Sequence, residues 1–87
     1  MQTPSDIELV RRTVDGNDRR AFGLLVERHQ SALRKFLLGL TLGNRQLSDD
    51  LAQDTLLRAY THASQYRGSA SFRTWLLRIA YNGFYDY

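Results

Sequence analysis

Apolar residues recur in steps of three and four along most of the chain and nowhere alternate with the two-residue period of a strand, so the pattern predicts helices only. The first helix covers residues 5 to 15. Ile7, Val10 and Val14 lie at helical spacing, and Ser5-Asp6-Ile7-Glu8 makes a capping box in which Ser5 accepts from the backbone while Glu8 reaches back. Gly16-Asn17, both tolerant of a positive φ, close it. The second helix starts near Asp18, and its apolar positions Phe22, Leu25, Val26, His29, Leu33, Phe36, Leu37 and Leu40 make it the longest predicted element. Gly43-Asn44-Arg45-Gln46 reads as a loop. Ser48 is then the predicted N-cap of a third helix running to about Ala63, with Asp49 and Asp50 where the helix dipole favours negative charge. Residues 64 to 71 are small, polar and glycine-containing, and form a connecting loop. The fourth helix begins at Ser71 or Phe72 and groups Phe72, Leu76, Ile79, Ala80 and Gly83 on one face. No capping or breaking signal follows before Tyr87, so the stop looks like a cut through that helix. With no repeat and no low-complexity tract, the predicted fold is a small all-α four-helix bundle.

Two faces depart from a simple core-and-solvent pattern. On the third helix, Ala52, Leu56, Ala59 and Ala63 cluster as the core side, flanked by Thr55 and Tyr60. The opposite side gathers Asp50, Gln53, Asp54, Leu57 and Thr61, an acidic and amide surface around one large aliphatic residue. Leu57 there is either an incidental exposed leucine or an apolar anchor for a basic helical partner. On the fourth helix, Tyr81 and Tyr85 fall opposite the core with Thr74 and Arg78, and Asn82 and Trp75 border them. Rings beside arginine and an amide suit the stacking and edge reading of unpaired bases. Trp75, three residues after Phe72, also fits a core position.

Composition narrows the classes. Eighty-seven residues suffice for one compact domain, not two, and leave little length for an enclosed active site. The absence of cysteine excludes disulfides and cysteine-based metal sites. Apolar runs of at most three residues exclude a membrane span or a signal peptide's apolar region, and the expected compartment is cytoplasmic. Eleven of the twelve basic residues are arginine, whose planar fork pairs with phosphate and stacks on rings. Net charge is +2 over residues 1 to 43, −1 over 44 to 65 and +2 over 66 to 87, so a basic end and an acidic middle suggest two different partners. Catalysis has little support. His29 sits on the apolar stripe of the second helix as a hydrogen-bonded core histidine, His62 stands alone, and no nucleophile motif, metal-ligand spacing or phosphate-cradling loop occurs. No cofactor or metal is expected.

The stretch from Asp50 to Tyr60 (DLAQDTLLRAY), then Tyr66-Arg67-Gly68, then Phe72 to Asn82 (FRTWLLRIAYN), resembles region 2 of sigma-70 family sigma factors, most nearly the extracytoplasmic-function (ECF) group. Gly16 to Phe22 and Leu25-Val26 resemble that group's first helices, so the resemblance covers nearly the whole chain. It implies a bacterial transcription initiation factor domain, without enzymatic activity, that binds core RNA polymerase and promoter DNA. In the family the acidic-glutamine stretch docks on the β′ clamp coiled coil. The matching positions are Asp50, Gln53, Asp54 and Leu57, with Arg58 and Thr61 beside them. The family's loop between the third and fourth helices captures a flipped base of the −10 element. The matching positions are Tyr66, Arg67, Gly68, Ser69, Ala70, Ser71 and Asn82, with Arg73, Trp75, Arg78 and Tyr81 nearby. An anti-sigma partner is implied as well, and no membrane insertion.

Two departures stand out. The second helical domain of the family, region 4, which reads the −35 element, has no counterpart here, and the basic residues that usually follow the Asn82 and Asp86 positions are missing. The whole chain, 1 to 87, therefore reads as an isolated region 2 domain. Two other classes remain: a helical adaptor that keeps the Leu57 face without binding nucleic acid, and a helix-turn-helix repressor, for which residues 64 to 71 are long.

Overall fold

The computed structural model describes residues 3–87 and, among them, contains four α-helices and no strand, as the periodicity predicts. Helix α1 spans Asp6–Asp15, α2 Arg19–Leu40, α3 Arg45–Thr61 and α4 Phe72–Tyr85, with one 3₁₀ turn at Ala63–Gln65 after α3. Each start has a side-chain cap. Ser5 Oγ accepts from Glu8 N at 3.2 Å, Asp18 Oδ1 from Arg20 N at 3.0 Å, Asn44 Oδ1 from Leu47 N at 3.0 Å, and Ser71 Oγ from Thr74 N at 3.1 Å. Only half of the predicted capping box forms at α1, because the Glu8 carboxylate takes Arg12 one turn on, at 3.2 Å.

The start of α3 differs from prediction by one turn. Asn44 caps it, Arg45 and Gln46 are helical, and Ser48, the predicted N-cap, is buried. Its hydroxyl donates to Asn44 O at 2.8 Å and lies 2.7 Å from Thr41 Oγ1, tying α3 to the end of α2. The reason lies in the α2–α3 turn. Leu42 N–H reaches Gly39 O and Gly43 N–H reaches Leu38 O, a Schellman closure that delivers the chain to Asn44. Leu42 occupies its left-handed position at φ 54° although 95% exposed. Asp49 and Asp50 thus lie in the second turn of α3, away from the dipole's end. Asp49 accepts from Arg34 of α2 at 2.6 Å.

Helix α2 is the spine. Ala21, Leu25, His29, Leu33 and Leu37, four residues apart, form one fully buried ridge, while Phe22, Val26, Phe36 and Leu40 flank it half-buried. The face of α1 is rotated from prediction: Leu9, Val10 and Thr13 are buried, whereas Ile7 and Val14 are exposed at its edge. Thr13 satisfies its hydroxyl on Leu9 O at 2.8 Å, so a polar residue can sit inside. Helix α3 likewise buries Leu51 and Thr55 together with Ala52 and Ala59, leaving Leu56 half-buried. Helix α4 buries Phe72, Leu76, Ala80 and Gly83, with Ile79 at the margin, and ends at Tyr85 with Asp86 N–H on Asn82 O. Small residues at 52, 59, 80 and 83 let α3 and α4 approach closely. The outer surfaces of these two helices carry the predicted sites.

Candidate functional site

The outer face of α3 forms one continuous stripe. Asp50, Gln53, Leu57, Arg58 and Thr61 are exposed and Asp54 is half-buried, at the three- and four-residue steps that align side chains on a helix. Leu57 is 62% exposed, with Asp54 and Arg58 joined across the same turn at 2.9 Å. That exposed pair adds only about 0.3–0.5 kcal/mol to the helix. Thr61 returns its hydroxyl to Leu57 O and Arg58 O at 3.1 Å each. A large aliphatic side chain therefore stands in water, bordered by acids, amides and a guanidinium.

The loop after the 3₁₀ turn is pinned at three points. Tyr66 is half-buried, its ring edge-on to Phe72 at 5.7 Å and tilted against Trp75 at 5.4 Å, and its hydroxyl donates to Ala70 O at 2.7 Å. Burial and, secondarily, the Asp6 charge push its phenol above the ordinary tyrosine range. Gly68 holds φ at 81° over α1, where an added Cβ would come within 2.7 Å of Ile7 Cδ1. Ser71 closes the loop as the cap of α4. The Tyr66 ring is consequently a staple inside the loop. Arg67, Gly68 and Ser69 are exposed at the tip.

Arg73, predicted among the DNA contacts, is engaged within the protein. Its Nε–H donates to His29 Nδ1 at 3.2 Å and its Nη2 to Arg28 O at 3.3 Å. Because His29 Nδ1 accepts, the ring proton is on Nε2, which donates to Asp6 Oδ2 at 2.7 Å; Asp6 Oδ1 takes Arg28 Nη1 at 3.0 Å. This chain fastens the starts of α1 and α4 to the middle of α2. It is the setting expected for His29 as a hydrogen-bonded core histidine, while Asp6 and Arg73 enter it over sequence separations that local pattern does not reveal. Arg67 and Arg78 are exposed and make no ion pair among the described residues.

Between the end of α3 and the outer side of α4 lies a cleft of about 210 Å³ lined by Arg58, His62, Gln65, Trp75, Ile79 and Asn82. It brings together Asn82 and Trp75, both predicted for the nucleic-acid surface, with Arg58 from the α3 stripe. His62, Gln65 and Ile79 join them without having been singled out as site residues. The 3₁₀ turn at Ala63–Gln65 separates His62 from Gln65, and both residues line the cleft. Tyr81 stands outside the cleft, its ring 4.7 Å from that of Tyr85 on the exposed face of α4. No group of three His, Cys, Asp or Glu residues able to hold a metal occurs among the described residues, and none of their helices is long and apolar enough to cross a membrane.

The model of the sigma-70 region 2 family matches residues 25–87 of this helical bundle. The chain belongs to that family. Among curated relatives, the RNA polymerase sigma-H factor of Pseudomonas aeruginosa is 38% identical over 77 residues, covering 88% of this chain and 39% of the relative. The ECF RNA polymerase sigma-E factor of Haemophilus influenzae is 37% identical over 78 residues, 90% of this chain and 40% of the relative. The ECF RNA polymerase sigma factor SigM of Mycobacterium tuberculosis is 39% identical over 82 residues, 94% and 41% respectively. The chain thus spans about two-fifths of the length of these relatives.

Proposed function

We propose that the chain is the part of an ECF-type transcription initiation factor that docks on core RNA polymerase and captures an unpaired base of the promoter −10 element. The exposed Leu57 among Asp50, Gln53, Asp54, Arg58 and Thr61 is the observation that carries the polymerase half. An aliphatic anchor ringed by polar groups suits a basic helical surface such as the β′ clamp coiled coil. The cleft carries the DNA half. Trp75 and Ile79 offer apolar walls to a base's faces, and Asn82 can both donate to and accept from its edge. A base must leave the stack to enter such a cleft, so the partner is single-stranded DNA. Arg67 and Arg78, both exposed, would supply charge to phosphates, Gly68, Ser69, Ala70 and Ser71 would give the loop its path beside the strand, and Tyr81 would add a stacking ring. Tyr66 and Arg73 act by holding the loop and α4 in place. An anti-sigma protein that covers these faces is the expected regulator, and no enzymatic step is assigned.

The polymerase half is tested by titrating a β′ coiled-coil fragment with the wild type, Leu57→Ala and Asp54→Arg. Each substitution is expected to weaken binding by about 1–3 kcal/mol while far-UV circular dichroism stays helical. Unchanged affinity in both folded variants would remove the docking role.

A further inference from the structure

We propose that His62 determines which base the cleft accepts, by presenting a hydrogen-bond acceptor that selects a base with an exocyclic amine; this rests on the base-capture role of the cleft. The imidazole Nδ1 lies 2.9 Å from Arg58 O. A carbonyl oxygen can only accept, so Nδ1 carries the proton, and the Thr61 hydroxyl 3.1 Å away is occupied with backbone carbonyls. In the neutral ring this makes Nε2 an acceptor. It has no protein partner among the described residues, and His62 lines the cleft.

The other polar groups there complete a pattern. Arg58 is a pure donor, already ion-paired with Asp54 through Nε at 2.9 Å, and Gln65 and Asn82 each bring an amide that donates and accepts. Cytosine offers a 4-amino donor beside the N3 and O2 acceptors, so it can give its amine to His62 Nε2 while its acceptors face the amides and the guanidinium. Thymine places a carbonyl where cytosine has the amine, setting an oxygen lone pair against the Nε2 lone pair. The helix end supports the choice, because the carbonyl of Arg58 near the C-terminus of α3 holds the proton on Nδ1 and so leaves Nε2 of the neutral ring as the acceptor.

The test uses single-stranded oligonucleotides that carry cytosine, thymine or 2-pyrimidinone at one position after another, 2-pyrimidinone being cytosine without its 4-amino group. Binding to the 87-residue chain is read by fluorescence anisotropy. At the captured position the wild type is expected to prefer cytosine over 2-pyrimidinone about three- to tenfold, the scale of one hydrogen bond. That ratio should fall to about one in His62→Ala and recover in part in His62→Gln, whose amide oxygen restores an acceptor, with the melting temperatures of both recorded. An unchanged cytosine preference in folded His62→Ala overturns the role of His62 alone. If no position shows any base preference in the wild type, and Asn82→Ala alters nothing, base capture itself fails and the inference fails with it.

Discussion

Replacing Gly68 by alanine should destabilise the domain and loosen the loop beside the cleft. Two separate costs are visible. At φ 81° an L-residue with a Cβ pays about 1–2 kcal/mol against glycine. The new methyl would also stand 2.7 Å from Ile7 Cδ1, so the isoleucine must leave its rotamer, at about 0.5–1.5 kcal/mol. Ile7 is 41% exposed and its terminal carbon is free to swing outward, which keeps this second cost near the lower end. The sum is about 1.5–2.5 kcal/mol. In a domain of this size each kcal/mol lowers the melting temperature by about 4–8 °C, so a fall of at least about 6 °C is expected. Urea denaturation of the wild type, Gly68→Ala, Ile7→Ala and the double variant forms a cycle that separates the two costs. The double variant should recover the steric part, about 0.5 kcal/mol, and keep the backbone part. A stability of Gly68→Ala within 0.5 kcal/mol of wild type, a margin ordinary for surface substitutions, would refute both the loop conformation and its seat on α1.

Leu42→Gly is expected to raise stability by about 0.5–1 kcal/mol, because it relieves a left-handed leucine that buries nothing, and thermal melting reads the gain. Tyr66 sets a limit at high pH. Its folded-state phenol holds the proton more tightly than the unfolded chain does, so its stabilising effect is whole below about pH 10 and is lost as pH climbs through the raised value. Urea midpoints at pH 9 and pH 11 should therefore fall less steeply in Tyr66→Phe than in the wild type. With Arg73 hydrogen-bonded to His29 and Arg28, Arg67 and Arg78 are the arginines left for phosphates, so affinity for single-stranded DNA should fall with log salt at a slope of about −0.7 per contact, near −1.4 in total. A slope implying six or more contacts would contradict the assignment.

How far the sequence reveals this molecule depends on how local each feature is. The long ridge of α2, the Ser5 cap and the starts of α2 near Asp18 and of α4 near Ser71 are encoded within one or two turns, and local pattern finds them. The α3 stripe around Leu57 is equally local, since residues on one helix face follow from spacing alone. Ser48 is not the cap of α3 because the preceding turn on Leu42-Gly43 delivers the chain to Asn44, which caps one turn earlier. The face of α1 turned because Thr13 satisfies its own hydroxyl on the backbone and so can be buried, a choice that hydrophobicity does not register. Arg73 and Asp6 meet through His29 across segments far apart in sequence, a relation that local pattern does not register. The cleft needed the 3₁₀ turn at Ala63–Gln65, which gathers His62 and Gln65 against α4 only after folding.

The relation between the cleft and an unpaired strand is best measured by comparing the affinity of the chain for a single-stranded −10-like oligonucleotide with its affinity for the same sequence as a duplex, at one fixed salt concentration. A cleft that receives an extruded base must spend a few kcal/mol to unstack it from a duplex, so the single strand is expected to bind at least tenfold more tightly. Asn82→Ala should shrink that advantage while leaving duplex binding unchanged. Equal affinity for the two forms, or tighter binding to the duplex, would contradict base capture and favour a protein that reads intact double-stranded DNA.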